Sequence, residues 1–252
     1  MKLTWWGHAS VLVVLEGISV VADPVLRARP GLLRHVAPPP SVAWQRPDAV
    51  VLSHLHHDHC DLPSLRALDA PVVLAPLGAG AWLRRKGVRP AQEAAIGETV
   101  RIRHGGTVTT VRAEHHGRRE PFGPVAESVG HIVAGRRTAT WLAGDTALFD
   151  GMRDLPELAP RGVIDLAVVP IWGWGPNLGP GHMDPDQAAQ AVAMVRARHA
   201  VPVHWGSLHP AGMHWAMSHH LHTPGWRFAE AVSRHSPQTE VHLLAHGDTI
   251  AL

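Results

Sequence analysis

The chain opens on three short runs of β-branched and aromatic residues, at 2–6, 11–15 and 18–22, with apolar and polar positions alternating around the turn Glu16-Gly17. A period of two marks a half-buried strand, so the start reads as an antiparallel meander. The proline-dense stretch 24–47 then interrupts regular structure. After an apolar run at 48–53, two segments carry helix signals: 63–68, with Asp61 placed as its N-cap, and 80–86. Further β-like runs at 107–114, 128–133, 138–142 and 164–169 lead to a helix expected over 185–199. Asp184 caps it, Pro185 is its first residue, and Ala188, Ala191, Val192 and Val195 recur on one face at helical spacing. A strand at 200–203, a helix at 226–235 and a last strand at 240–244 complete the pattern. Two β-rich halves with helices outside predict one α/β domain, a four-layered αββα sandwich. Its halves are expected to meet near residue 120, with the site in the cleft between them.

Chemistry enters directly after the run at 48–53. His54, His56, Asp58 and His59 form the string H-x-H-x-D-H. Imidazoles at alternate positions converge on one cation where the backbone leaves a strand extended, and the following Asp and His turn toward a second. With 21 histidines in 252 residues, a loop merely rich in histidine is the plain alternative. Distant partners count against it. His115, Asp145 and His204 each stand at the end of a β-like run, where a sheet presents residues at its rim.

Taken in order, Asp23, the H-x-H-x-D-H string, His115, Asp145 and His204 resemble the metallo-β-lactamase superfamily. Thr4-Trp-Trp-Gly-His-Ala-Ser10, Ala22-Asp23-Pro24, Ala143-Gly-Asp-Thr146, Gly181-His-Met-Asp-Pro185 and Val203-His-Trp-Gly-Ser207 are similar to the branch containing N-acyl phosphatidylethanolamine phospholipase D and ascorbate phosphate lactonase. The resemblance implies that His54, His56 and His115 hold one divalent ion and Asp58, His59 and His204 a second. Asp145 would bridge the two, and Asp23 would stand behind the ligands. Nitrogen and oxygen donors without a thiolate suit Zn²⁺ and also admit Mn²⁺ or Fe²⁺. Such a centre is expected to deliver a metal-bridging hydroxide to a phosphodiester, a carboxylic ester or a lactone, in a small-molecule or lipid-like substrate. Its competitor is a non-catalytic or redox metal-binding protein on the same fold.

Other residues carry narrower expectations. Asp58 and His182 are the catalytic candidates; His182 precedes a helix start and is positioned to stabilise an oxyanion or protonate a leaving group. His8, Arg118, Trp172 and Trp174 are candidate substrate contacts, the arginine with its neighbour Arg119 as an anion clamp and the tryptophans as pocket wall. His57 should point away from the ions by alternation, and Cys60 reads as a buried packing residue. The segment 208–223, with five histidines at 209, 214, 219, 220 and 222, is expected to be a loop, either a lid over the cleft or a plain surface excursion.

A formal net charge of +2 with scattered arginine pairs gives no stripe for nucleic acid. One cysteine excludes a disulfide within the chain and suggests a reducing compartment. No secretory leader and no apolar run of about 20 residues are evident, so the expectation is a soluble cytoplasmic protein of open oligomeric state.

Overall fold

The computed structural model describes residues 1–37, 46–173 and 178–252. The first sheet holds β1 (Lys2–Gly7), β2 (Ser10–Leu15), β3 (Ile18–Ala22), β5 (Ala49–Val51), β6 (Val73–Ala75), β7 (Ala91–Glu93) and β16 (Thr249–Ala251), in the order β16-β1-β2-β3-β5-β6-β7. The second holds β8 (Thr99–Arg101), β9 (Thr107–Arg112), β10 (Val129–Ala134), β11 (Ala139–Leu142), β12 (Leu166–Pro170), β13 (His199–Val203) and β15 (Glu240–Val241), in the order β15-β13-β12-β11-β10-β9-β8. Each sheet joins an antiparallel meander to a run of parallel strands.

Three apolar cores follow from alternation along these strands. Leu3, Val11, Val13, Val133, Val168 and Val201 pack between the sheets. On the outer face of the first sheet, α1 (Leu62–Leu68) and α2 (Gly80–Arg85) add Leu65, Leu68 and Leu83 to Val21, Val50 and Leu52. On the outer face of the second, α3 (Pro185–Val195) and α5 (Pro224–His235) bury Ala188, Ala191, Val192, Val195, Phe228 and Val232. This is the αββα sandwich. Asp61 caps α1, its side chain accepting from the Ser64 amide, and Asp184 caps α3 in a reciprocal pair with Gln187.

Several boundaries differ from the pattern-based expectation. The chain passes from the first sheet to the second between Glu93 and Thr99, not near residue 120, because β8 and β9 already pair with β10. Helix α3 stops at Val195, where Arg196 turns left-handed, and His199 already belongs to β13. Strand β16 returns to pair with β1, a contact across the whole chain that local pattern does not encode. Inside the proline-dense stretch, β4 (Leu33–His35) pairs with β14 (Leu208–Pro210). Together with α4 (His214–His222), this turns most of the expected loop into a strand and a helix.

At the end of the sandwich far from the strand termini that carry the histidines, Glu16 ties the sheets together. Its carboxylate, in the β2–β3 turn, accepts from the amides of Arg136, Arg137 and Thr138 and from the Thr138 hydroxyl in the β10–β11 turn, at 2.8–3.1 Å. These donors, the Arg137 amide foremost, hold its pKa down to about 2. Because the folded-state value lies below the ordinary one of 4.5, the stabilisation is present above about pH 4.5 and is lost as pH falls toward 2. Glu16→Ala should therefore cost about 1 kcal/mol at pH 7, a charge-assisted contribution discounted for solvent screening. Urea unfolding across pH should show the gap to the unaltered chain constant at neutral pH and narrowing below pH 4.5; a gap that persists unchanged at pH 3 would contradict the assignment.

Candidate metal centre

Parallel strands β3, β5, β11, β12 and β13 all end at one rim of the sandwich, and the residues that follow them converge there. Asp23 follows β3, the string 54–59 follows β5, Asp145 follows β11 and His204 follows β13. His8 joins them from the β1–β2 turn. His8, Asp23 and His204 have positive φ, at 53°, 40° and 64°. Left-handed backbone at non-glycine residues costs roughly 1–3 kcal/mol each and persists where surrounding contacts hold it. Two glycines make room. A Cβ on Gly144, just before Asp145, would lie 2.6 Å from that of Ser53, and one on Gly181 would lie 2.7 Å from His115 Nδ1.

The ring orientations are fixed from outside. His59 Nδ1 donates to Asp23 at 2.9 Å, His115 Nδ1 to the Gly181 carbonyl at 2.9 Å and His204 Nδ1 to the Trp172 carbonyl at 2.7 Å. The Ser53 hydroxyl gives its proton to Asp23 at 2.6 Å, so it accepts from His54 Nδ1 at 2.9 Å. With each Nδ1 proton committed outward, the four rings direct Nε2 inward, where a metal would take the lone pair of each neutral imidazole. His56 differs: its Nδ1 faces His115 Nε2 at 3.2 Å.

The inward atoms fall into two sets that share a carboxylate. His54, His56 and His115 bring ligand atoms within 4.8 Å of one another, and so do His8, Asp58, His59 and His204. Between them, Asp145 Oδ2 lies 3.2 Å from His59 Nε2, 3.3 Å from His204 Nε2, 3.4 Å from His182 Nε2 and 4.0 Å from His54 Nε2. His54 Nε2 and Asp145 Oδ1 are buried without a hydrogen-bond partner. Buried lone pairs left unmatched are costly, and a cation is what satisfies them. The donor set fits divalent metal. A cleft opens over it, walled by His57, His116, Glu120, Gly179, Pro180 and His182.

The family described as the beta-lactamase superfamily domain matches residues 19–205. The chain belongs to the metallo-β-lactamase superfamily. Its relatives include N-acyl-phosphatidylethanolamine-hydrolyzing phospholipase D 1 of Caenorhabditis elegans, 31% identical over 83% of this chain and 64% of that protein. This chain thus spans less than two thirds of that relative's length. A metal-dependent hydrolase of Nitratidesulfovibrio vulgaris is 30% identical over 100% of this chain and 95% of its own length. Among solved structures, the metallo hydrolase Igni18 of Ignicoccus hospitalis superposes with a TM-score of 0.75 at 23% identity, covering 99% of this chain and 97% of that one. Proteins named metal-dependent hydrolases thus stand among its relatives.

The charges at its rim are strongly coupled. Burial works against the charged forms of Asp58 and Asp145, yet His59 beside Asp58 and His204 with His59 beside Asp145 hold both carboxyls well below the ordinary range. Burial likewise opposes protonation of His59 and His204, and Asp145 outweighs it, lifting His59 well above its ordinary value and His204 to about 9. Burial instead prevails at His54, held well below its ordinary value, at His56 and His115, each lowered to about 4, and at His8, lowered to about 3 with His204 contributing.

The superfamily site gathers all seven expected ligands and Asp23, with His182 at its edge. Other expected contacts lie elsewhere. His8 is buried behind the ligands, its Nε2 3.0 Å from Asp58 and its Nδ1 3.3 Å from the Ser207 hydroxyl, so it orients a carboxylate instead of touching substrate. Trp172 packs with Leu178, Trp205, Met217 and Leu221, a side chain in a small apolar cluster and not a pocket wall. Arg118 is exposed and 3.8 Å from Glu120, beside a neighbouring groove. Trp174 lies outside the described residues. His57 turns away from the ligand sets, its Nε2 3.0 Å from the Glu120 carbonyl. Cys60 is buried in the outer core, its thiol pushed up to about 12 by burial.

Sequence pattern missed Ser53, which passes the Asp23 carboxylate's hold on to His54, and it took Arg119 for part of an anion clamp. Arg119 laces the metal string by donating to the Leu55 and Cys60 carbonyls at 2.8 and 3.0 Å while its guanidinium lies over Trp82. Ser53 had a signal in its place just before the string; the Gly181 and Trp172 carbonyls had none.

In the metal-free protein at pH 7, His59 and His204 carry the protons that ions would replace, whereas the other ligand histidines are neutral and both carboxyls ionised. Metal loading at pH 7 should therefore release about two protons per chain from these histidines, and up to about one more from a metal-bound water. Calorimetric titration in buffers of differing ionisation enthalpy measures this; release of none, or of five, would contradict these charge states.

Proposed function

We propose that the protein is a dinuclear hydrolase acting on a phosphodiester, carboxylic ester or lactone in a small-molecule or lipid-like substrate. The observation that carries this reading is the position of Asp145, whose one carboxylate reaches both donor sets. On this reading His54, His56 and His115 hold one ion, Asp58, His59 and His204 hold the other, and Asp145 serves both. Zn²⁺ suits these donors best, with Mn²⁺ or Fe²⁺ compatible. When bound, such ions bring the pKa of water down to about 7 and polarise the electrophile.

The chain supplies the rest. Asp23 and Ser53 fix the ligand tautomers, and His8 holds Asp58 in orientation. His182, its side chain 17% exposed, reaches from the cleft wall toward Asp145 and is our candidate to stabilise the oxyanion or protonate the leaving group. Past His115, His116 and Glu120 the cleft adjoins a groove of mixed lining, where Ile96, Val125 and Ala126 stand beside Arg112, Glu114 and Arg118. A polar reacting centre with an amphipathic extension fits that lining, and the name of the Caenorhabditis elegans relative describes a phosphodiester of this form. With one buried cysteine, we read the setting as cytoplasmic.

Two variants test the shared carboxylate. Asp145→Ala should abolish turnover of a generic bis-phosphodiester and lower metal content at both positions, whereas His57→Ala should leave metal content unchanged. Equal metal loss in the two would contradict the assignment.

His182→Ala should keep metal content and melting temperature while kcat falls by roughly 10² to 10⁴. If His182 is the acid, the loss shrinks for a nitrophenolate leaving group, which departs without a proton. An equal loss with an alkoxide leaving group assigns oxyanion stabilisation, and no loss with either removes His182 from the chemistry.

A further inference from the structure

We propose a separate divalent-cation site of the zinc class at the opposite end of the second sheet, formed by His199, Glu240 and His242. The parallel register sets His199 of β13 beside Glu240 of β15, and the His242 amide continues the ladder to the Ala200 carbonyl at 2.9 Å. Alternation then puts residues 240 and 242 on one face, the face that His199 shares. Their ligand atoms lie within 4.8 Å of one another. His199 Nδ1 is 3.1 Å from His242 Nε2 and 3.5 Å from Glu240 Oε2. A tetrahedral zinc site with bonds near 2.0–2.1 Å has ligand-to-ligand edges of about 3.3 Å, so the two measured edges bracket that figure with no backbone movement.

The local chemistry favours an ion over a hydrogen-bonded triad. A single proton can occupy the His199–His242 contact, and Nδ1 of His199 has only one bond to give to two neighbours. A divalent cation satisfies three lone pairs together. Glu240 is 67% exposed, which leaves room for water to complete the coordination. His204 stands five positions beyond His199 along β13, about 16 Å at strand rise, so the two sites share no ligand.

An ion here would fasten a weak junction. Strand β15 is two residues long and pairs only with β13 before the chain crosses to the first sheet as β16. Cross-linking β13 to β15 would pin that crossover.

The test compares the intact protein with the double variant His199→Ala/His242→Ala and with Glu240→Gln, each equilibrated at buffered micromolar free Zn²⁺. The unaltered chain should hold about one equivalent more zinc than the double variant and melt higher in zinc by roughly 5–10 °C, with hydrolytic activity the same. Glu240→Gln, a surface change that preserves both rings, should bind the extra equivalent more weakly. Because the readout is a difference, it is independent of how many ions the catalytic rim holds. Equal zinc content in all three proteins overturns the proposal. So does half-saturation of the extra equivalent only at millimolar zinc, which would mean an adventitious ion only.

Discussion

The structure turns on where four ring protons go. His54, His59, His115 and His204 each commit Nδ1 to an acceptor outside the cluster, two of them to the Asp23 and Ser53 pair and two to backbone carbonyls. That leaves Nε2 atoms and buried carboxylates facing one another with too few protons to pair them. A protein interior does not tolerate such a cluster without compensation. Protons on His59 and His204 supply it in the metal-free chain, and bound metal would supply it in the loaded one.

The rest of the fold serves that arrangement. Parallel strands from two sheets end at one rim, so short turns after β3, β5, β11 and β13 suffice to bring together residues spaced from 23 to 204 along the chain. The turns are strained where they must be tight, at His8, Asp23 and His204, and open where a Cβ would collide, at Gly144 and Gly181. The helices lie on the outer faces and bury apolar surface without entering the site. Glu16 closes the far end, so the rim is the open end of a sandwich tied at its base.

Much of this was legible because the signals were local. The H-x-H-x-D-H string carries its own geometry, since alternate residues of an extended segment share a side, and the caps Asp61 and Asp184 sit where their helices begin. His115, Asp145 and His204 were readable as strand-end residues. What failed depended on distance. His8 reaches an aspartate fifty positions away and so turned from a substrate contact into a support for Asp58. Trp172 packs against α4, and β16 finds β1 across the chain, neither of which periodicity encodes. Helix α3 ended early because Arg196 adopts the left-handed turn without a glycine to announce it.

The central claim is that one carboxylate, Asp145, serves two metal positions. A crystal of the zinc-loaded protein, measured on both sides of the zinc absorption edge, tests it most directly. Two anomalous peaks should flank Asp145, one within bonding reach of His54, His56 and His115 and the other of Asp58, His59 and His204. A single peak at full zinc loading, or a second peak with Asp145 turned away from it, would contradict the account.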